Sequence, residues 1–114
     1  MTQPKREQSD QLDATLNLME KYPDIVFDSN NLATITTRNN NTYTVAKIPD
    51  ATYISAMSKA SNNDMVIAYT TLVSASLVDP KLSIAEVKNN LYDGDLTFLS
   101  MTLMKYYNSK ISFL

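Results

Sequence analysis

The spacing of apolar residues predicts an N-terminal helix, then a β-hairpin, then about four further helices. In the first part of the chain, Leu12, Leu16 and Met19 recur at helical spacing. Ser9 is a suitable N-cap residue, and Pro23 cannot continue a helix. These residues predict an amphipathic helix that begins near Ser9 and ends at about residue 22.

The pattern then changes to segments rich in β-branched residues. Segments 32–37 and 42–48 are of this kind, and Arg38-Asn39-Asn40-Asn41 separates them. Asparagine tolerates the left-handed backbone of a tight turn, so a β-hairpin is predicted at about residues 32–48. Two strands alone are not stable in water, and we therefore expect the hairpin to lie against the helices.

After Pro49 the pattern is helical to the end of the chain. A short helix is predicted from Asp50, and a second from about Asp64 to Val78. The second carries no charge between its end carboxylates and is apolar on more than one side, so we expect it to be the central buried helix. Asp79-Pro80 then stops the helix.

Two further helices follow this stop. Ser83 and Glu86 have the spacing of a capping box, which predicts a new short helix. Gly94 suits a left-handed backbone position, and Asp95 opens the last helix. The predicted fold class is α+β and mostly α-helical, with residues 1–8 as a flexible N-terminus and residues 9–114 as one domain whose helices form a small bundle.

The last helix has two apolar faces. A core-facing stripe about 100° wide is formed by five residues: Leu96, Leu99, Leu103, Tyr106 and Tyr107. A second stripe points elsewhere and contains Phe98, Met101 and Met104. Either a neighbouring element covers this second stripe, or it is exposed and binds a partner.

Composition argues for a protein that binds rather than catalyses. The chain has no cysteine and no histidine, which removes thiolate metal sites and the commonest general base. Its single glycine cannot build a phosphate loop. A net charge of −2 with scattered basic residues disfavours nucleic acid as a partner. We therefore expect no enzyme activity, no cofactor and no bound metal.

The chain is also expected to be cytoplasmic. Its first residues lack the apolar core of a signal peptide. The longest uncharged run, residues 65–78, is shorter than the about 20 apolar residues that a bilayer-spanning helix needs. No membrane is therefore predicted as a partner.

Methionines and tyrosines are the candidates for partner binding. Unbranched thioether side chains adapt to varied apolar surfaces, and exposed tyrosines serve interfaces well. Plain core packing is the alternative for each of them. The helical wheel gives six candidate partner-binding residues: Tyr53, Met57, Phe98, Met101, Met104 and Tyr107.

The order of these parts resembles the tail assembly chaperones of long-tailed bacteriophages and prophages. The resemblance runs from about Thr42 to Tyr107, and two short motifs carry it. The first is Val78-Asp79-Pro80-Lys81-Leu82-Ser83 after a long apolar helix, and the second is Tyr92-Asp93-Gly94-Asp95-Leu96 at the start of the last helix. The resemblance supplies no binding residues, so the six candidates come from the helical wheel alone.

The resemblance implies a non-enzymatic role in tail assembly within the bacterial cytoplasm. Such chaperones keep the long tape measure protein soluble until tail tube subunits polymerise around it. A longer, frameshifted form often recruits the tail tube protein, and this chain would correspond to the shorter product. Self-association along the client is a further expectation.

Two other functions remain open. A head-tail connector or neck subunit would form a closed ring of fixed order. A small regulatory or DNA-binding phage protein would bind duplex DNA in a salt-dependent way. The threonine-rich hairpin edge has no proline inside either strand, so pairing between subunits through this edge is also predicted.

Overall fold

The computed structural model of the protein describes residues 21–59, 65–91 and 94–111. These ranges form a mixed α+β fold that is mostly helical, as the sequence predicts. The elements in chain order are β1 (Leu32–Thr36), β2 (Thr42–Ala46), α1 (Asp50–Ser58), α2 (Met65–Ser76), β3 (Leu77–Asp79), α3 (Ile84–Asn90) and α4 (Asp95–Ile111). The predicted flexible N-terminus and nearly all of the predicted first helix lie outside the described residues.

The predicted β-hairpin is confirmed. Strands β1 and β2 pair antiparallel, and Thr34 lies opposite Thr44. Asn40 adopts the left-handed backbone with φ of 64°, and the Thr37 N–H donates to the Asn41 carbonyl at 2.9 Å to close the turn. Alternate strand residues face the core, and Val45 is fully buried. The hairpin thus buries one face and leaves the threonine-rich face outside.

A third strand replaces the predicted end of the central helix. Helix α2 ends at Ser76, and β3 pairs antiparallel with β2, so that Val45 lies opposite Leu77. Leu77 is 2% exposed and Val78 is 43% exposed, which is the alternation of a half-buried strand. A run that is apolar on more than one side fits a buried helix and a buried strand equally well, so the spacing of its apolar residues did not reveal where the helix ends. The Asp79–Pro80 peptide bond that follows is cis.

Helix α2 holds the centre of the helical layer because it contacts α1, α3 and α4. Leu72 and Val73 are fully buried in the hydrophobic core. The first turn of α2 is not buried in this way, because Val66 and Ile67 are 49% and 46% exposed. The prediction of a buried helix therefore holds for the second half of α2 and is wrong for its beginning.

A buried carboxylate ties the hairpin turn to the start of α4. Asp95 has no exposed surface, and it accepts hydrogen bonds from the Asn39 amide at 3.0 Å, the Asn41 amide at 2.9 Å and the Tyr43 hydroxyl at 2.8 Å. Burial alone would raise the pKa of this carboxyl. The surrounding hydrogen bonds outweigh burial and hold the pKa below its usual value. Gly94, just before it, has φ of 87°, the left-handed conformation that the sequence predicts.

Candidate functional site

The predicted core-facing stripe of α4 is buried. Leu99, Leu103 and Tyr107 have no exposed surface, while Leu96 and Tyr106 are half-buried against the same core. These five residues therefore hold α4 in the fold and offer little surface to a partner.

Of the two alternatives left open for the second stripe of α4, coverage holds for Phe98 and Met101, so these two candidate partner-binding residues are not exposed. Phe98 is 8% exposed and Met101 is 6% exposed. The ring of Tyr22 meets the Phe98 ring edge-on, with centroids 5.3 Å apart, and the Arg38 guanidinium lies 5.5 Å from the Phe98 centroid. At Phe98 the covering contacts therefore come from Arg38 in the hairpin turn and from Tyr22 in the irregular segment before β1.

That segment, residues 22–27, crosses α4 at two further points. Phe27 and Tyr106 form an edge-on ring pair with centroids 4.9 Å apart. The Lys105 ammonium donates to the Tyr22 carbonyl at 2.9 Å and pairs with the Asp24 carboxylate at 2.9 Å. The helical wheel describes α4 alone, so it gave no sign of this covering segment.

Tyr53 and Tyr107 come together inside the protein, where they form no wall of a surface groove. Their rings stack with centroids 4.9 Å apart, and burial together with the neighbouring Tyr107 raises the pKa of Tyr53 to about 12. The Tyr53 hydroxyl donates to Asn108 at 2.7 Å, and the Tyr107 hydroxyl accepts from the Ile48 N–H at 2.9 Å. Both tyrosines thus have the hydroxyl partners that buried tyrosines require.

The two remaining candidates, Met57 and Met104, are half-buried and pack against the core cluster. The six candidate residues from the helical wheel therefore do not form the predicted exposed binding face. Core packing, which the sequence left open for each of them, is the arrangement that the structure has.

An apolar groove does exist, between α2 and α3. Its volume is about 570 Å³. Three aliphatic side chains in it are about half-exposed, namely Val66 at 49%, Ile67 at 46% and Ile84 at 50%. The groove, called the α2–α3 groove below, is lined by Lys59, Val66, Ile67, Thr70, Thr71, Ile84 and Lys88.

Local hydrogen bonds fix α3 against α2 and so shape this groove. The Glu86 N–H donates to the Ser83 hydroxyl at 3.2 Å, and the Ser83 N–H donates to the Glu86 carboxylate at 3.0 Å, which confirms the predicted capping box. The Ser74 hydroxyl of α2 donates to the Leu82 carbonyl at 2.8 Å. Helix α3 therefore begins at Ile84, whose side chain faces the groove.

Two threonines of α2 line the groove without presenting a hydroxyl hydrogen to it. The Thr70 hydroxyl donates to the Val66 carbonyl at 2.8 Å, and the Thr71 hydroxyl donates to the Ile67 carbonyl at 2.7 Å. A hydroxyl that bonds back to its own helix has used its one hydrogen. The groove is therefore better suited to an apolar surface than to a polar ligand.

Lysines border the groove. Lys59 follows α1, and Lys88 lies one helical turn after Ile84, on the same face of α3. The described residues that line the groove include no carboxylate, although the whole chain has a net charge of −2. In the described part of the chain, the site thus combines an apolar floor with two lysines at its border.

Comparisons of this chain with protein-family models, with curated proteins and with solved structures find no match. Within the described ranges, no helix is long and apolar enough to cross a membrane. The same ranges contain no group of three or more Asp, Glu, His or Cys side chains placed to hold a metal ion.

The groove was not predicted, because a continuous apolar run is expected to be buried along its whole length. The signal that was present is Met65-Val66-Ile67 at the very start of α2, followed by Ile84 at the start of α3. Apolar residues in the first turn of a helix lie at the end of the core, where a neighbouring element must reach them to cover them. Here α3 reaches only one side of them.

Proposed function

We propose that the protein is a tail assembly chaperone that binds the tape measure protein through the α2–α3 groove. The observation that carries the proposal is the exposed aliphatic floor of the groove between two lysines. The resemblance of residues 42–107 to such chaperones supports the choice of client. Binding alone accounts for this role, and no catalytic step is assigned to any residue.

The geometry suits a helix as the bound segment. An amphipathic helix places its apolar face in a groove and keeps its polar face in water. Ile67 and Ile84 lie on the two sides of the α2–α3 groove and would contact that apolar face from both sides. Lys59 and Lys88 would pair with Asp or Glu residues that border the apolar face of the client, since opposite charges at a rim favour encounter and orientation.

The expected affinity of one groove is low, which agrees with a chaperone that is later displaced. Full burial of an exposed Val or Ile side chain is worth about 1.5–3 kcal/mol, and these three side chains are already about half-buried. Their combined gain is a few kcal/mol before the cost of association is subtracted. A long helical client that engages many copies would be held by all of them together, and incoming tube subunits would displace each copy in turn.

Co-expression with the tape measure protein of the same genome tests the proposal. We expect the wild-type protein to keep the client soluble and to co-purify with it. Ile67→Asp places a charge on the groove floor and should abolish co-purification. Ile54→Asp is the matched control, because Ile54 is 54% exposed on α1 but does not line the groove.

Both variants should keep the circular dichroism spectrum and the denaturation midpoint of the wild type, because both positions are about half-exposed. A client that stays soluble with Ile67→Asp would contradict the groove as the binding site. A client that aggregates beside wild-type protein would contradict the chaperone function. If the protein alone then forms a closed ring with a fixed number of subunits, the head-tail connector function would be favoured over the chaperone function.

A further inference from the structure

Among the described residues, strand β1 forms one edge of the sheet, because the strand order is β1-β2-β3. The Thr37 N–H donates to the Asn41 carbonyl, and the Lys47 N–H donates to the Asn31 carbonyl, each at 2.9 Å. Since hydrogen-bonding direction alternates along a strand, odd-numbered residues of β1 bond to β2. The backbone groups of Leu32, Thr34 and Thr36 therefore point away from the sheet.

One end of this edge is already occupied. The Asp28 N–H donates to the Leu32 carbonyl at 2.9 Å, and the Leu32 N–H donates to the Asp28 carboxylate at 3.0 Å. Thr34 and Thr36 are left with two N–H groups and two carbonyls that have no hydrogen-bond partner within the described part of the chain. The part of the edge that is available for pairing is therefore a short strip, residues 34–36, which begins after Leu32.

Nothing on this strip opposes the approach of another strand. Protected edges carry lysine, proline or an inward charge. Leu32–Thr36 contains no charged residue and no proline, and the side chains of Thr34 and Thr36 are exposed. Two copies of a chain with net charge −2 would meet here without like charges in contact.

We propose that the β1 edges of two copies pair antiparallel about a two-fold axis at Ile35. Thr34 of each copy then lies opposite Thr36 of the other, and four backbone hydrogen bonds form. A two-fold axis at Thr34 would instead place Thr36 against Leu32, whose groups already bond to Asp28. A second copy of the chain is the favoured partner. The free N–H and carbonyl groups on its β1 edge have the same spacing as the groups to which they would bond.

The pairing gives a closed dimer, since an isologous contact uses the β1 edge of both copies. A stable complex buries about 1,200 Å² or more of total surface, and pairing through this short strip would bury much less. Dimerisation should therefore appear at high protein concentration, or where a partner brings copies together. This inference does not depend on the α2–α3 groove.

Disulfide trapping tests the register, because the natural chain contains no cysteine. Thr34→Cys and Thr36→Cys are purified separately and mixed under mild oxidation at high concentration. A hydrogen-bonded antiparallel pair has Cα atoms about 5.5 Å apart, which is within the disulfide range. Residues on the diagonal, such as Thr34 of both copies, are about 7–8 Å apart. The mixture should therefore give about tenfold more cross-linked dimer than either variant alone.

Equal cross-linking of the mixture and the single variants would overturn the register. Sedimentation of the protein without cysteines provides the second test. Thr34→Pro removes only an outward N–H and should keep the fold, because proline is tolerated at that side of an edge strand. We expect concentration-dependent dimer for wild type and monomer for folded Thr34→Pro. A wild-type protein that remains monomeric at every concentration would overturn the pairing.

Discussion

Replacing Asp95 with alanine should lower the free energy of unfolding by about 3 kcal/mol. The carboxylate is fully buried and accepts hydrogen bonds from Asn39, Asn41 and Tyr43. Its removal eliminates these three hydrogen bonds between the hairpin and the first turn of α4. Urea denaturation followed by circular dichroism measures the change. Asp50→Ala is the control, because Asp50 is an exposed acid in the first turn of α1 and should have a much smaller effect.

The same network makes stability depend on pH. The folded pKa of Asp95 lies below that of the unfolded chain, so its contribution is present above the unfolded pKa and is lost as the pH falls through the folded pKa. Wild-type stability should thus decrease in acid, and Asp95→Asn should remove part of that decrease. The pKa of Glu86 is also lowered, by hydrogen bonds with Ser83. Glu86 therefore contributes to the loss of stability in acid in both wild type and Asp95→Asn. Identical pH profiles for wild type and Asp95→Asn would contradict this role of Asp95.

Tyr107→Ala should destabilise the protein by about 3–5 kcal/mol, the range for loss of a large buried side chain. Tyr107 has no exposed surface, stacks on Tyr53 and accepts the Ile48 N–H. The substitution creates a cavity and leaves a buried N–H without a partner. Tyr107→Phe retains the ring and should cost only about 1–2 kcal/mol, which isolates the hydrogen bond. Urea midpoints for both variants measure these effects.

This prediction separates two roles that the sequence left open for Tyr107. An exposed binding residue could be truncated with a change in stability within about 0.5 kcal/mol. Truncation of a core residue changes stability by much more than this. A Tyr107→Ala protein with the wild-type urea midpoint would therefore contradict the packing of α4 described above.

Local features of the fold could be predicted because neighbouring residues determine them. Asn40 in the hairpin turn, Ser83 with Glu86 in the capping box, and Gly94 before Asp95 each act over a few residues. A sequence read one segment at a time contains that information.

Features that depend on distant segments could not be predicted in this way. The Lys105 ammonium donates a hydrogen bond to the Tyr22 carbonyl across 83 residues of sequence. Strand β3 depends on the position of β2, and its short apolar sequence fits a helix equally well. The buried state of Phe98 and the exposed state of Ile67 follow from these long-range arrangements, and so the predicted and observed apolar surfaces differ.

The most direct test of client binding in the α2–α3 groove is an NMR titration of the isotope-labelled protein with helical fragments of the tape measure protein. We expect amide shift changes centred on Ile67, Thr71, Ile84 and Lys88, with little change in the β1–β2 hairpin, and loss of these changes in Ile67→Asp. Shift changes that leave the groove unaffected and centre on another surface would contradict client binding in the groove.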